Sequence, residues 1–145
     1  MITTINEYRQ FINEKYLESD AIGYKIDKYL YHVTTKNNLN KIKRYGFIPQ
    51  DGVSINNKPY ENRLYFATSL IAAYDLSVNF SSYKDEHEYY IIKIKSEAID
   101  NYEEDPLFDH GIYIDYSIPS KYIVEVIDAD DLFDKFDDND IENLY

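Results

Sequence analysis

The sequence of 145 residues contains no cysteine. This absence excludes disulfides, thiolate metal sites and cysteine nucleophiles together. No apolar run approaches the roughly 20 residues that a membrane-spanning helix needs. The first residues, MITTINEYRQ, lack the basic and apolar regions of a secretory signal, so we expect a cytoplasmic protein with no membrane partner. A chain of this length is typical of one domain that folds without a disulfide or a metal.

Familiar catalytic motifs are also missing. The sequence contains no HExxH, GxSxG or GxGxxG pattern and no phosphate-binding P-loop. The histidines His32, His87 and His110 have no metal-ligand spacing, so no metal cofactor is expected. His87 lies in the charged run KDEHE and should face solvent. His32 lies in an apolar segment, where a histidine that only hydrogen-bonds locally is the simplest interpretation.

Positive charge is scarce in this chain. Lysine and arginine number 15 against 27 acidic residues, which gives a net charge of −12. A surface of this sign repels phosphate backbones, so nucleic-acid binding is disfavoured, while a basic protein partner is allowed. The acidity also keeps a chain with 17 tyrosines soluble. The abundance of Tyr, Asn, Ile and Lys fits an AT-rich coding sequence, such as that of a virus or a low-GC bacterium.

Local sequence patterns predict both strands and helices. Strands are expected where β-branched and aromatic residues cluster, at residues 28–34, 63–67, 88–95, 111–114 and 122–127. Helices are expected where apolar residues recur at helical spacing, over residues 4–17, from Thr35 to a glycine stop at Gly46, from Thr68 or Ser69 to Val78, and around Phe133. Within the second helix, Leu39, Ile42 and Tyr45 should share one face.

The order of these elements indicates the fold class. Strands and helices alternate without a regular βαβ rhythm, which favours an α+β fold over a doubly wound sheet. Residues 50–62 are rich in Asn, Gly and Pro and are expected to form an exposed loop. We interpret residues 1–145 as one domain, with an N-terminal helix in 1–20, a core over 28–127 and an acidic segment over 128–145.

Four segments, taken in order, carry the most specific signal. They are residues 31–34 (YHVT), 45–49 (YGFIP), 63–69 (RLYFATS) and 111–123 (from GIYI to IPSKYI). This order resembles the ADP-ribosyltransferase superfamily, which includes poly(ADP-ribose) polymerases, DarT-like DNA ADP-ribosyltransferases and tRNA 2′-phosphotransferases. The resemblance covers residues 28–127, and it implies a split, mostly antiparallel sheet with flanking helices and NAD as a substrate.

The resemblance also implies roles for individual residues. His32 would hydrogen-bond the 2′-hydroxyl of the nicotinamide ribose, with support from Thr34. Tyr65 would stack on the nicotinamide ring, and Tyr74 would close the sandwich. We therefore expect the side chains of His32, Tyr65 and Tyr74 to meet around one pocket. The neighbouring residues of the two motifs would complete the cofactor site: Val33, Phe66 and Ala67.

A third active-site position of the family falls at Ile112 or within one residue of it. Many members carry a glutamate there, whereas an aliphatic residue resembles the mono-ADP-ribosylating branch and permits an inactive member. Gly111 is expected to leave room for a ligand beside the strand. Asp109 and Asp115 lie near enough in sequence to be substitute acids, but a surface position is the simpler expectation for both. The implied activity is transfer of one ADP-ribose from NAD to a macromolecular acceptor, with a protein as the expected target.

Other interpretations remain open. A catalytically silent domain of the same fold could block a basic surface on a host protein, as a viral protein would. A phosphotransferase is disfavoured by the negative charge and by Tyr65, where that branch carries a histidine. The HxT and YFA segments could also be core strands of an unrelated α+β fold.

Overall fold

The computed structural model describes residues 26–53, 59–84, 88–106 and 108–144. The strands in these ranges are β1 (Tyr29–Thr35), β2 (Gln50–Val53), β3 (Pro59–Ala67), β4 (Tyr89–Lys95), β5 (Glu103–Glu104), β6 (Gly111–Ile114) and β7 (Ile123–Asp128). The helices are α1 (Lys36–Tyr45), α2 (Leu70–Lys84) and α3 (Asp138–Glu142). Short 3-10 turns cover Ser96–Ala98, Ser120–Tyr122 and Ala129–Leu132.

The described strands form one seven-stranded sheet in which every pairing is antiparallel. The spatial order is β5-β6-β3-β1-β4-β7, and β2 pairs with the first half of β3. The prediction of an α+β fold with a mostly antiparallel sheet is thereby confirmed. The predicted N-terminal helix over residues 4–17 lies outside the described residues.

The sheet separates two apolar layers. In β4, Ile91 and Ile92 are both fully buried, although successive side chains of a strand point to opposite faces. Ile92 belongs to the layer under α1, together with Leu39 and Ile42 of that helix. Ile91 belongs to the layer under α2. Strand β4 therefore packs into both apolar layers, which explains why its apolar residues do not simply alternate with polar ones.

Helix α1 begins and ends where the sequence predicts. The Thr35 hydroxyl accepts a hydrogen bond from the backbone N–H of Asn38, which caps the first turn. Gly46 ends the helix with a φ of 81°, and its N–H donates to the carbonyl of Ile42. The expected apolar face is only partly correct, because Tyr45 is 64% exposed while Ile42 is buried.

The prediction of a loop over residues 50–62 is wrong. Residues 50–53 form β2 and residues 59–62 form the first part of β3, and these strands pair as a hairpin. The side chains of Pro59, Glu61 and Asn62 are exposed. The strand pairing is therefore carried by backbone hydrogen bonds rather than by an apolar face, and composition gives no sign of it.

The acidic segment also differs from its prediction. Instead of one short helix around Phe133, the chain forms a 3-10 turn over Ala129–Leu132 and a separate helix α3. Aspartate side chains cap both elements, because the Asp128 carboxylate accepts from the N–H of Asp130 and the Asp137 carboxylate accepts from the N–H of Asp140. Phe133 lies between them and is 72% exposed.

The conformation of Gly46 gives a first prediction. An added Cβ at Gly46 would lie 2.6 Å from the backbone carbonyl oxygen of Ile118, at a φ that side chains rarely adopt. We expect Gly46→Ala to lower the free energy of unfolding by about 1–3 kcal/mol, as urea titration would measure it. The control is Gly52→Ala, whose added Cβ meets the movable end of the Tyr60 side chain. A loss no larger at Gly46 than at Gly52 would contradict this account.

Candidate functional site

A cleft opens where β1 and β3 part. The two strands share one register pair, Tyr31 opposite Ala67, and the described residues form no further ladder pair between them. The cleft has a volume of about 580 Å³, within the roughly 300–1,000 Å³ of small-molecule sites. Its walls come from strands β1, β2 and β3, one face of α1, part of α2, the start of β4 and the segment before β6.

His32 fills the point of separation. Its Nδ1 lies 2.7 Å from the backbone carbonyl oxygen of Tyr65, where continued pairing would have placed Val33. A carbonyl oxygen can only accept a hydrogen bond, so Nδ1 must carry the proton. The imidazole ring is held edge-on to Phe47 at 5.4 Å between centroids and tilted against Phe66 at 5.6 Å. One side chain therefore replaces the backbone ladder at this position.

The protonation state of His32 follows from its surroundings. Part of its surface is open to the cleft, but protein atoms surround the ring closely. Burial lowers the pKa of His32 below the ordinary 6.5, and the hydrogen bond to the Tyr65 carbonyl opposes this only partly. The ring is therefore neutral at pH 7. With the proton on Nδ1, Nε2 is a hydrogen-bond acceptor.

Tyr65 reaches the same cleft from the other face of the sheet. Phe66 contacts His32 on the α1 side, so Tyr65, one residue earlier in the strand, projects to the opposite side. There its ring lies 5.0 Å from the ring of Tyr60 and 5.5 Å from that of Tyr113. Both His32 and Tyr65 line the cleft, because its lining residues come from both faces of the sheet.

A cation completes the Tyr65 cluster. Arg63 donates from Nη1 to the Tyr65 hydroxyl at 3.1 Å, and its guanidinium carbon lies 4.1 Å from the centroid of the Tyr113 ring. Burial raises the pKa of Tyr65, while the hydrogen bond and positive charge of Arg63 lower it. We refer to Tyr60, Arg63, Tyr65 and Tyr113 as the tyrosine cluster.

A bulge in β3 positions this cluster. Between the pairs Gln50–Arg63 and Gly52–Tyr60, strand β3 carries one residue more than β2. Asn62 absorbs it with a φ of 51°, in the left-handed region that asparagine tolerates. Its N–H donates to the Asp51 carboxylate at 2.9 Å, and its side-chain amide donates to the Asp115 carbonyl at 3.3 Å.

Helix α1 supplies a polar wall. Thr35, Asn38 and Lys41 are spaced three apart, so they share one side of the helix, and all of them line the cleft. The first turn of α1 contains no acidic residue. The lysine gives this wall a positive charge.

The structure brings together six of the eight residues that the sequence singles out. These cleft-lining residues are His32, Val33, Thr34, Tyr65, Phe66 and Ala67. Tyr74 and Ile112, which the resemblance also implies for the site, do not line the cleft.

The two exceptions have packing explanations. Tyr74 is 7% exposed and its ring lies 5.7 Å from that of Phe136, because α2 turns it toward the C-terminal segment. Ile112 is fully buried, and its register partner is Phe66, so it lies in the layer under α1. Its neighbour Tyr113 is the residue of β6 that reaches the tyrosine cluster.

The segment before β6 corrects another expectation. The space beside Gly111 is not open, because an added Cβ there would lie 3.0 Å from the Phe108 ring and 3.2 Å from the Asp105 carboxylate. Asp105 and Phe108 themselves line the cleft. The alternative acids Asp109 and Asp115 are exposed, as expected for surface residues. His87 lies outside the described residues.

Sequence patterns assign no cofactor role to several residues of the cleft. Tyr60 belongs to the segment interpreted as a loop, and only the extended β3 brings it to Tyr65. Arg63 begins the predicted strand over residues 63–67, on the same face as Tyr65, but no role in the cofactor site is expected of it. Lys41 looked like an ordinary surface lysine of a helix. Asp105 lies in an irregular segment, where nothing in the pattern marks it.

Neither the known protein-family models nor the curated proteins contain a significant match to this chain. In the described ranges, none of the helices is both long and apolar enough to cross a membrane. Those ranges also contain no group of three or more His, Asp or Glu residues arranged to hold a metal ion.

The lowered pKa of His32 predicts a pH dependence of stability. As pH falls from 6.5 toward the lowered value, the unfolded chain binds a proton that the folded one does not, so stability is lost. The loss approaches about 1.4 kcal/mol per pH unit for one proton. His32→Asn keeps a donor for the carbonyl but has no titration. On acidification, wild type should therefore lose more unfolding free energy than the variant, so the difference between them should shrink. Parallel curves of unfolding free energy against pH would contradict this prediction.

Proposed function

We propose that this protein transfers a single ADP-ribose from NAD to a macromolecular acceptor, with a protein as the expected target. The observation that carries the proposal is the hydrogen bond from His32 Nδ1 to the Tyr65 carbonyl. It fixes the tautomer of an imidazole that burial keeps neutral, so that Nε2 is left to accept from a ribose hydroxyl. It does so at the gap of a split sheet, in a cleft that an aromatic ring also lines.

The chemistry needs little from the protein beyond positioning. The bond between the ribose C1′ and the nicotinamide nitrogen breaks, and its electron pair leaves with neutral nicotinamide. The acceptor nucleophile then attacks the oxocarbenium-like carbon and releases its proton to solvent. His32 would hold the ribose 2′-hydroxyl, and Tyr65 would hold the nicotinamide ring. In this proposal no enzyme nucleophile is required.

The charge of the cleft supports an anionic dinucleotide. The whole chain carries a net charge of −12, yet the cleft presents Lys41 and Arg63 against Asp51 and Asp105. These two positive and two negative charges cancel, so a ligand with phosphates meets far less repulsion in the cleft than over the rest of the surface. Asp105 places a carboxylate near the tyrosine cluster, where it can face positive charge that develops on the ribose.

A second candidate is a catalytically silent domain that blocks a basic surface on a host protein. Two observations favour it: Tyr74 and Ile112 both lie away from the cleft. The stacking partner and the third position that the family resemblance implies are therefore not supplied by these residues. Binding of NAD without any transfer would favour this alternative.

The NAD proposal predicts distinct effects of three substitutions. Tyr65→Ala removes an aromatic face worth about 0.5–1.5 kcal/mol beyond burial, so NAD affinity should fall about two- to tenfold by calorimetry. Tyr65→Phe keeps the ring and should retain most of the affinity. His32→Ala removes the acceptor for the ribose and should also weaken binding. Equal affinities in wild type, Tyr65→Ala and His32→Ala would exclude the assignment.

The product should be a single ADP-ribose per site. Ile112 is buried away from the cleft and has no atom that accepts a proton, so it cannot activate a ribose hydroxyl for chain growth. The measurement is mass spectrometry after incubation with isotope-labelled NAD and a cell extract as the acceptor source. Single additions that disappear in His32→Ala are expected. Chains of two or more units would refute the prediction.

A further inference from the structure

We infer that Arg63 is the residue through which the cleft recognises a phosphate group of its ligand. The inference rests on the proposed function, since it specifies which part of the dinucleotide this arginine would contact. It applies equally to any ligand in the cleft that carries a phosphate or diphosphate.

The guanidinium is held in place by aromatic groups. One N–H donates to the Tyr65 hydroxyl, and the guanidinium carbon lies 4.1 Å from the centroid of the Tyr113 ring. Arginine has five N–H donors in a fixed plane, and stacking on a ring occupies the face of that plane rather than its edge. Most of the donors are therefore available to a ligand, in a geometry that suits two oxygens of one phosphate.

The backbone fixes the direction of this side chain as well. Asn62 immediately precedes Arg63, and its left-handed conformation is held by hydrogen bonds to Asp51 and Asp115. Beyond the bulge, Arg63 lies on the same face as Tyr65, because these residues are two apart in the strand. A cation that is oriented before binding loses little freedom when the ligand arrives.

The Arg63 guanidinium carries a positive charge that no carboxylate of the described residues neutralises through an ion pair. Asp105 is the acidic group whose charge reaches both Arg63 and Tyr65, and it lines the same cleft. Asp105 thus opposes an anion in the cleft but leaves the donors of Arg63 uncovered. A phosphate would therefore accept hydrogen bonds from Arg63 N–H groups that no carboxylate of the described residues occupies.

The test compares ligands with and without a nicotinamide on matched arginine variants. Calorimetry measures binding of NAD and of ADP, which carries the diphosphate but no nicotinamide. Arg63→Met should weaken both ligands about tenfold or more, because charge-assisted hydrogen bonds are lost. Arg44→Met is the control: Arg44 also lies over a tyrosine ring, that of Tyr45, but does not line the cleft. Its affinities should stay within about twofold of wild type.

Two further variants keep the test decisive if Arg63→Met is poorly folded. Arg63→Lys keeps the charge but loses the planar fork, so ADP affinity should fall by less than in Arg63→Met. Asp105→Asn removes the opposing charge and should tighten ADP binding. A loss of ADP affinity in the Arg63 variants, together with a gain in Asp105→Asn, would not arise from general destabilisation of the fold.

The outcomes separate this inference from the proposed function. Unchanged ADP and NAD affinities in both Arg63 variants, or no ADP binding by the wild type, would overturn the role of Arg63. Arg63-dependent ADP binding, with NAD bound no more tightly than ADP and insensitive to Tyr65→Ala, would uphold the phosphate site. That result would reject NAD as the substrate.

Discussion

The hydrogen bond between His32 and the Tyr65 carbonyl is the interaction on which the cleft depends. A backbone carbonyl at the parting of two strands needs a donor, and the imidazole supplies it where the ladder stops. The same bond fixes the tautomer of the ring, and burial keeps the ring neutral. This one contact therefore satisfies the carbonyl where the strands part and sets the tautomer of the histidine, while burial sets its charge.

The tyrosine cluster shows how an irregular strand can build a site. A regular β3 would alternate strictly from Pro59 to Ala67, and Tyr60 and Tyr65 would then lie on opposite faces. The extra residue at the Asn62 bulge changes this parity, and their rings meet at 5.0 Å. A local irregularity thus adds the ring of Tyr60 to a group that register and alternation already form from Tyr65, Tyr113 and Arg63.

Sequence patterns predict the parts of this protein that local residues determine. Strands β4 and β6, the cap at Thr35 and the stop at Gly46 follow from composition, spacing and backbone preference. The cleft position of His32 and Tyr65 follows from the resemblance of two strand motifs. Ile112 lies away from the cleft because the direction of a strand side chain depends on register, and a shift of one residue moves it to the other face. Tyr74 lies on α2, which directs its ring toward Phe136. The β2–β3 hairpin is not predicted, because backbone hydrogen bonds hold it together and amino-acid composition does not reveal them.

The end of α1 is tied to a distant part of the chain. Phe47, whose ring supports His32, exchanges two backbone hydrogen bonds with Ile118, and Gly46 packs against the same segment. Residues so far apart in sequence can meet only after a long loop closes. During synthesis, the support for His32 is therefore incomplete until Ile118 has left the ribosome. A nascent chain that already contains both cleft strands still lacks a finished cleft.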